Sequence, residues 1–322
     1  MESSKFKVSA PIIIPSLKRY KKAKNPIMMI DSCLANLHKY YEPETVHIIA
    51  QEYTEEDKEY LIEEYPNVKW EWYDKRLGII NTFNRVKDVG CQYPYYIHHD
   101  DDVAHTHQFS ANPTLTAMEH AININLDRIG IVTTASISIH HFKKMVPDYI
   151  SLHCNPAQLV IINSKAAKDC KYDDRFSNFR SDTDFTMQIA SKGYIPILLN
   201  RYFSFMHTVP LSKITYTEEG GRKFETLDNI TDTRGSIGGI RDMENRKREY
   251  DQFQEKWPKV STHKNYKQQL LKKSVVSLTK FRPVELVEIQ KSFDFNLVND
   301  WQEGYYKGNT PEKFAKNLAL FG

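Results

Sequence analysis

Residues 95 to 107, Tyr-Tyr-Ile-His-His-Asp-Asp-Asp-Val-Ala-His-Thr-His, run from an apolar, strand-like segment straight into three consecutive carboxylates. Asp100, Asp101 and Asp102 repel one another when all are ionised at close range, and a bound cation is the simplest way to keep them charged. A hard divalent ion such as Mg²⁺ or Mn²⁺ suits carboxylate oxygens and can itself hold a diphosphate. The competing reading is a helix N-cap with a solvated flank.

Strand and helix signals alternate between the N-terminus and this cluster. Residues 8 to 14 are β-rich and end at Pro15-Ser16, and a basic loop follows to residue 24. Apolar residues recur at helical spacing over 28 to 40, and residues 46 to 50 read as a short buried strand. Residues 52 to 65 form an acidic helix opened by Thr54, with Asp57 three positions on. A strand over 68 to 72, a Gly78 turn, a helix to residue 89 and the strand 95 to 99 complete the series. Such alternation predicts a parallel, doubly wound α/β sheet with helices on both faces. Ligands settle beyond the carboxyl ends of such strands, where residues 15 to 19, Gln51, Lys75 and Asp100 to Asp102 all fall. Neither Gly-x-x-x-x-Gly-Lys-Ser/Thr nor Gly-x-Gly-x-x-Gly occurs, which removes the P-loop and dinucleotide readings.

Asn81, Asn84 and Arg85 share one turn of their helix, so one face of it can meet a nucleotide. Asp182 and Asp184 open a second helix reaching about residue 192, with Phe185, Ile189 and Ala190 on its buried side. Its N-terminal dipole favours negative charge there. Residues 217 to 241 carry five glycines and read either as a lid, bringing Arg234 and Arg241 to a diphosphate, or as a surface loop. Residues 1 to 242 are expected to form the catalytic domain and 243 to 322 a mainly helical, basic extension. From Lys256 to Arg282 there are eight Lys or Arg and no acid. Lys256, Lys259, Lys264, Lys267, Lys272 and Lys273, interleaved with Trp257, Tyr266 and Phe281, can follow a nucleic-acid backbone; a soluble basic helix looks the same.

The 322 residues, 40% hydrophobic and 26% charged, suit a globular chain, and no apolar run approaches the roughly 18 residues of a bilayer span. The N-terminus lacks an apolar signal core, so the expected location is the cytoplasm, a host's if the chain is virus-encoded. Four widely spaced cysteines, without a Cys-x-x-Cys pair, argue against a disulfide framework or structural zinc.

The order of motifs resembles the metal-dependent glycosyltransferases of the GT-A fold. More narrowly, it resembles the TET-associated glycosyltransferases that put sugars on modified DNA bases in bacteriophages. The matching pieces are Ile-Ile-Ile-Pro-Ser-Leu-Lys-Arg (12 to 19), Arg-Leu-Gly-Ile-Ile-Asn-Thr-Phe-Asn-Arg (76 to 85), His-Asp-Asp-Asp-Val (99 to 103), Ser-Asp-Thr-Asp-Phe-Thr-Met-Gln-Ile-Ala-Ser-Lys-Gly-Tyr (181 to 194) and Gly-Gly-Ile-Arg (238 to 241).

The resemblance implies a Rossmann-like, mostly parallel sheet and a nucleotide-sugar donor, UDP-linked in our reading. Pro15, Ser16 and Arg19 would contact the nucleotide, Asp100 its ribose or sugar, and Asp102 the metal of a DXD motif. Asp101, Lys75, Asn81, Arg85 and Arg241 are the further donor candidates, and His207 is a second metal ligand beside Asp102, with Mn²⁺ or Mg²⁺ as the cofactor. Asp182 matches the base that takes the acceptor proton, with Asp184 as its rival, because Ser181 stands where related sequences often carry Glu. His98, His99, His105 and His107 would serve as supporting or acceptor-side groups. The implied acceptor is the hydroxyl of a hydroxymethylated pyrimidine, such as hydroxymethylcytosine, in DNA; a protein or glycan acceptor is the alternative within the fold. Two other classes compete. His98, Asp100 and His207 match the ligand types of a 2-His-1-carboxylate iron oxygenase, and the basic stretch alone suits a non-catalytic nucleic-acid-binding protein.

Overall fold

The computed structural model describes residues 5–21, 27–105, 114–124, 126–136, 150–152, 158–177, 180–206, 214–216, 222–224 and 243–257. Among the described residues nine strands form the main sheet: β1 Ile12–Leu17, β2 Val46–Gln51, β3 Lys69–Tyr73, β4 Tyr95–His99, β5 Val103–Ala104, β6 Ile129–Ser136, β7 Ile150–Leu152, β8 Leu159–Asn163 and β9 Ile195–Met206. Their order is β7-β9-β6-β8-β4-β1-β2-β3, with β5 added against β9. The helices are α1 Met29–Tyr40, α2 Glu55–Glu64, α3 Ile79–Gly90, α4 Thr114–Ile124, α5 Ser164–Ala167, α6 Ser181–Ser191 and α7 Met243–Lys256.

β1 and β8 are buried along their whole length, as expected of continuous apolar runs covered on both faces. Successive side chains go to opposite faces. Ile12, Ile14, Ile48, Ala50 and Ile97 join α1, α2 and α4 on one side. Ile13, Ile49, Tyr96, Ile131 and Val160 join α3, α5 and α6 on the other. β3, whose residues are all exposed or half-buried, closes the sheet at one edge. The fold is therefore α/β with helices on both faces of a mostly parallel central sheet, as the alternation predicts.

The block β4-β1-β2-β3 is parallel throughout. Beyond it the sheet is mixed. β8 runs antiparallel to both β4 and β6, and β7 antiparallel to β9, while β6 and β9 are parallel. Pairing direction is set by how the chain returns to the sheet, which no local residue pattern encodes.

Local signals set the boundaries near the site. Thr54 and Asp57 make the reciprocal capping box that opens α2. Gly78 precedes α3 with φ of +79°, a backbone shape that favours glycine. At Gly130 on β6, a Cβ would come within 2.5 Å of Ile189 Cγ2 and 2.7 Å of Tyr194 Cβ. That absence of a side chain lets α6 lie close on the sheet. α7, at the start of the expected extension, packs back on the domain through Phe253, which meets Phe176 with ring centroids 5.9 Å apart. Among the described residues no helix is long and apolar enough to cross a membrane.

Gly130→Ala forces α6 away from β6 and costs about 2 kcal/mol. Urea denaturation is expected to show a lower midpoint with an unchanged slope.

Candidate active site

At the carboxyl end of the parallel block, Asp101 turns inward rather than outward. Only 1% exposed, it accepts a hydrogen bond from Ser16 Oγ at 2.8 Å and pairs with the Arg19 guanidinium. Having given its proton to Asp101, Ser16 must accept from Tyr53, whose hydroxyl is 2.7 Å away. Arg19 also reaches Asp102 at 3.5 Å. Burial works against the Arg19 charge, but the fields of Asp101, Asp102 and Asp100 outweigh it and raise its pKa. Backbone bonds hold this segment: Lys18 N donates to Gln51 O at 2.9 Å and Met29 N to Arg19 O at 2.8 Å.

The turn itself is tied to β8 and closed locally. Asp100 N donates to Gln158 O at 2.9 Å, and Val103 N to Asp100 O at 3.2 Å. Asp100 is half-buried and lies 3.5 Å from His98 Nε2. His99 lies beneath, fully buried, with Nε2 3.0 Å from His105 Nε2 and Nδ1 2.8 Å from the Asp100 carbonyl. Burial lowers its pKa to about 4, so it is neutral at physiological pH. His98 and His99 thus contact Asp100, and His105 contacts His99, while His107 lies outside the described residues.

The second carboxylate pair comes from α6. Tyr172 stacks on Phe185 of α6 at 4.1 Å and meets Phe83 of α3 at 5.2 Å, and Phe83 contacts His98 at 4.9 Å. This aromatic chain joins the first turn of α6 to the strand that delivers Asp100. Burial raises the Tyr172 phenol well above its ordinary pKa, and the charges of Asp182 and Asp100 add to that rise.

Asp182 and Asp184 have different surroundings. Asp182 is half-buried. Asp184 is 0% exposed, and it accepts from Trp257 Nε1 at 2.8 Å, Gln188 Nε2 at 2.7 Å and Lys256 Nζ at 2.9 Å. Its oxygens are committed inside the protein, and Asp182 is the more exposed carboxylate of the pair. Lys256, expected on a nucleic-acid surface, is instead spent between Asp184 and Asp173, the latter also at 2.9 Å.

Several expected donor contacts have structural occupations. Arg85 forms a two-pronged pair with Glu71, at 2.7 and 2.9 Å. Asn84 exchanges hydrogen bonds with the Tyr172 backbone at 2.9 and 3.1 Å, and so fixes the phenol's segment. Gln51 is buried and ties the end of β2 to α3, accepting from Leu77 N at 2.8 Å and donating to Thr82 Oγ1 at 3.2 Å. Asn81 donates to Leu77 O at 3.0 Å and, like Lys75, is exposed on the segment entering α3. Pro15 is buried within β1. His207, Arg241 and Lys259, Lys264, Lys267, Lys272 and Lys273 lie outside the described residues.

Tyr53, Tyr172 and Trp257 were not singled out for the site from sequence. Their importance comes from contacts across 37, 72 or more residues, and no local spacing reveals them. Among the described residues no group of three or more His, Cys, Asp or Glu side chains is arranged to hold a metal ion. Asp100, half-buried, and Asp102, buried and 3.5 Å from Arg19, carry hard oxygen donors of the type that suits a divalent ion completed by diphosphate and water.

Comparisons with protein-family models and with curated protein sequences give no match. Among solved structures, the chain is similar to a crystal structure of GalNAc-T7 with UDP, GalNAc and Mn2+, at 11% identity and a TM-score of 0.43, covering 62% of this chain and 43% of that one. It is similar to S. aureus TarS at 16% identity and 0.44, covering 65% and 37%. It is also similar to S. aureus TarS 1-349 in complex with UDP-GlcNAc at 15% identity and 0.42, covering 67% and 63%. The chain spans less than two thirds of each of these chains.

Removing the Asp101 charge leaves Arg19 buried with its nearest partner neutral. Asp101→Asn is expected to cost about 3 kcal/mol in chemical denaturation. Asp173 is held well below the ordinary carboxylate range, first by its hydrogen bond from Arg175 and, against burial, by Lys256. Its contribution to stability is present above about pH 4 and lost as pH falls toward the folded value. Asp173→Asn should flatten the acid limb of a stability profile below pH 4, while leaving its slope near neutrality unchanged.

Proposed function

We propose that this chain is a metal-dependent GT-A glycosyltransferase that moves a sugar from a nucleotide-sugar donor, UDP-linked in our reading, to an acceptor hydroxyl. The observation that carries this reading is the acidic turn at the carboxyl end of β4, anchored through Asp101 to Ser16 and Arg19 and joined to α6 by the rings of His98, Phe83, Tyr172 and Phe185. It ties an Asp cluster to a helix with carboxylates in its first turn, at the strand ends where α/β folds bind ligands. Arg19, already paired with Asp101 and Asp102, adds a fixed positive charge beside the place a diphosphate would occupy.

Asp100 and Asp102 would hold the divalent ion, which when bound neutralises charge on the departing diphosphate. Asp182 accepts the acceptor's proton as its oxygen bonds to the anomeric carbon. The bond from that carbon to the diphosphate oxygen breaks, and its electron pair leaves with the nucleoside diphosphate. Tyr172 and Phe185 hold the first turn of α6 against the sheet and so fix the height of Asp182 above the crevice. His98 stands beside Asp100, and its neighbour Phe83 fills the space beneath.

The acceptor we propose is a hydroxymethylated pyrimidine in DNA. The motif order and the basic stretch that follows Lys256 support it. Such a base must be flipped out or presented on a single strand.

The test is incubation with a panel of nucleotide sugars, Mn²⁺ or Mg²⁺, and DNA carrying hydroxymethylcytosine or hydroxymethyluracil, followed by base mass. A gain of one sugar is expected, with free nucleoside diphosphate released in equal amount. Asp102→Asn and Asp182→Asn each lower turnover at least about a thousandfold. Sugar found instead on a peptide or glycan reassigns the acceptor, and no nucleotide sugar consumed under any metal rejects the transferase.

A further inference from the structure

α6 begins without a side-chain cap, at Arg180. With 3.6 residues per turn, Asp182 and Asp184 project about 200° apart around its first turn. Asp184 faces the end of α7, and Asp182, half-buried, lies on another side of the turn. The α7 side is tied by several polar and aromatic contacts. Lys256 Nζ bridges Asp184 and Asp173, each at 2.9 Å, and Trp257 Nε1 donates to Asp184 at 2.8 Å. Phe253 packs on Phe176, and the Arg180 guanidinium sits 5.5 Å from the Phe253 ring. All four tied residues, Asp173, Phe176, Arg180 and Asp184, belong to the segment that carries Tyr172 and Asp182. A buried ion pair of this kind adds little net stability over apolar packing, but it fixes direction, because each charge tolerates only one arrangement.

We infer that Lys256 and Trp257 are positioning residues for Asp182: by clamping Asp184, they set the first turn of α6 and hence the place from which the proton is taken. This rests on the function proposed above. It assigns the last turn of α7 to the catalytic unit, whereas the expected boundary at residue 242 puts it in a separate extension. Neither residue touches substrate in this arrangement, so their loss acts on turnover rather than on donor binding.

The experiment uses the full chain with Lys256→Met, Trp257→Phe and Lys256→Arg, and with UDP-glucose and UDP-GlcNAc as donor probes. Turnover, donor KM and amide hydrogen exchange are measured together. For Lys256→Met and Trp257→Phe, kcat is expected to fall about a hundredfold, the loss a displacement of about 1 Å brings, while donor KM stays within about twofold. Exchange at residues 181 to 186 speeds up about tenfold, and peptides from β1 and β2 do not change. Lys256→Arg restores both readouts, since it keeps the charge.

Turnover within about threefold of the parent in both variants, or faster exchange spread over the whole sheet, overturns the assignment. If Lys256→Met does not fold, Trp257→Phe decides alone, because it removes one hydrogen bond and keeps an aromatic ring. A parent chain that turns over no nucleotide sugar sinks the transferase instead. The exchange at residues 181 to 186 then still reports whether the clamp exists.

Discussion

A buried guanidinium facing a buried carboxylate governs the open end of the sheet. Three adjacent aspartates cannot all point into one crevice without severe repulsion, and the Arg19–Asp101 pair relieves this by drawing the middle one into the wall. Ser16, itself bonded to Tyr53, donates to the other Asp101 oxygen, so the carboxylate is hydrogen-bonded as well as neutralised. With Asp101 anchored, its neighbours Asp100 and Asp102 are carried at fixed positions beside it. The turn is thereby a rigid mount, not a flexible acidic loop.

That mount matters because the second half of the site comes from a helix on one face of the sheet. α6 is held close by the bare backbone at Gly130, by the stack of Phe185 on Tyr172, and by the ties that reach Asp184 from α7. The aromatic series Phe185, Tyr172, Phe83 and His98 runs from this helix to the strand behind the acidic turn. Ring stacking is insensitive to small polar changes and resists compression, which suits a spacer between two charged elements. Asn84 completes it by fixing the Tyr172 backbone from α3.

Much of this was legible one segment at a time. The capping pair Thr54 and Asp57, the glycine before α3, and the apolar spacing of α1, α3 and α6 each carry their own local signature. So does the arrival of the acidic run at a strand end. The residues whose roles changed are those with a long or charged side chain and no local rule for its partner. Arg85 was expected to meet a nucleotide and meets Glu71. Lys256 was expected on a nucleic-acid surface and bridges two aspartates. Asp184, a rival for proton transfer, is sealed by Trp257, some seventy residues away.

The sequence alone determined the series of strands and helices over the first hundred residues, that it winds in parallel, and that carboxylates gather at a strand terminus. Those properties depend on neighbours within a few positions, through backbone periodicity and capping. Tertiary structure decided the antiparallel insertion of β8, the inward turn of Asp101, and which aspartate of α6 is sealed against α7. Each of these depends on what lies opposite in space, and a charge takes its role from the partner that desolvates or neutralises it.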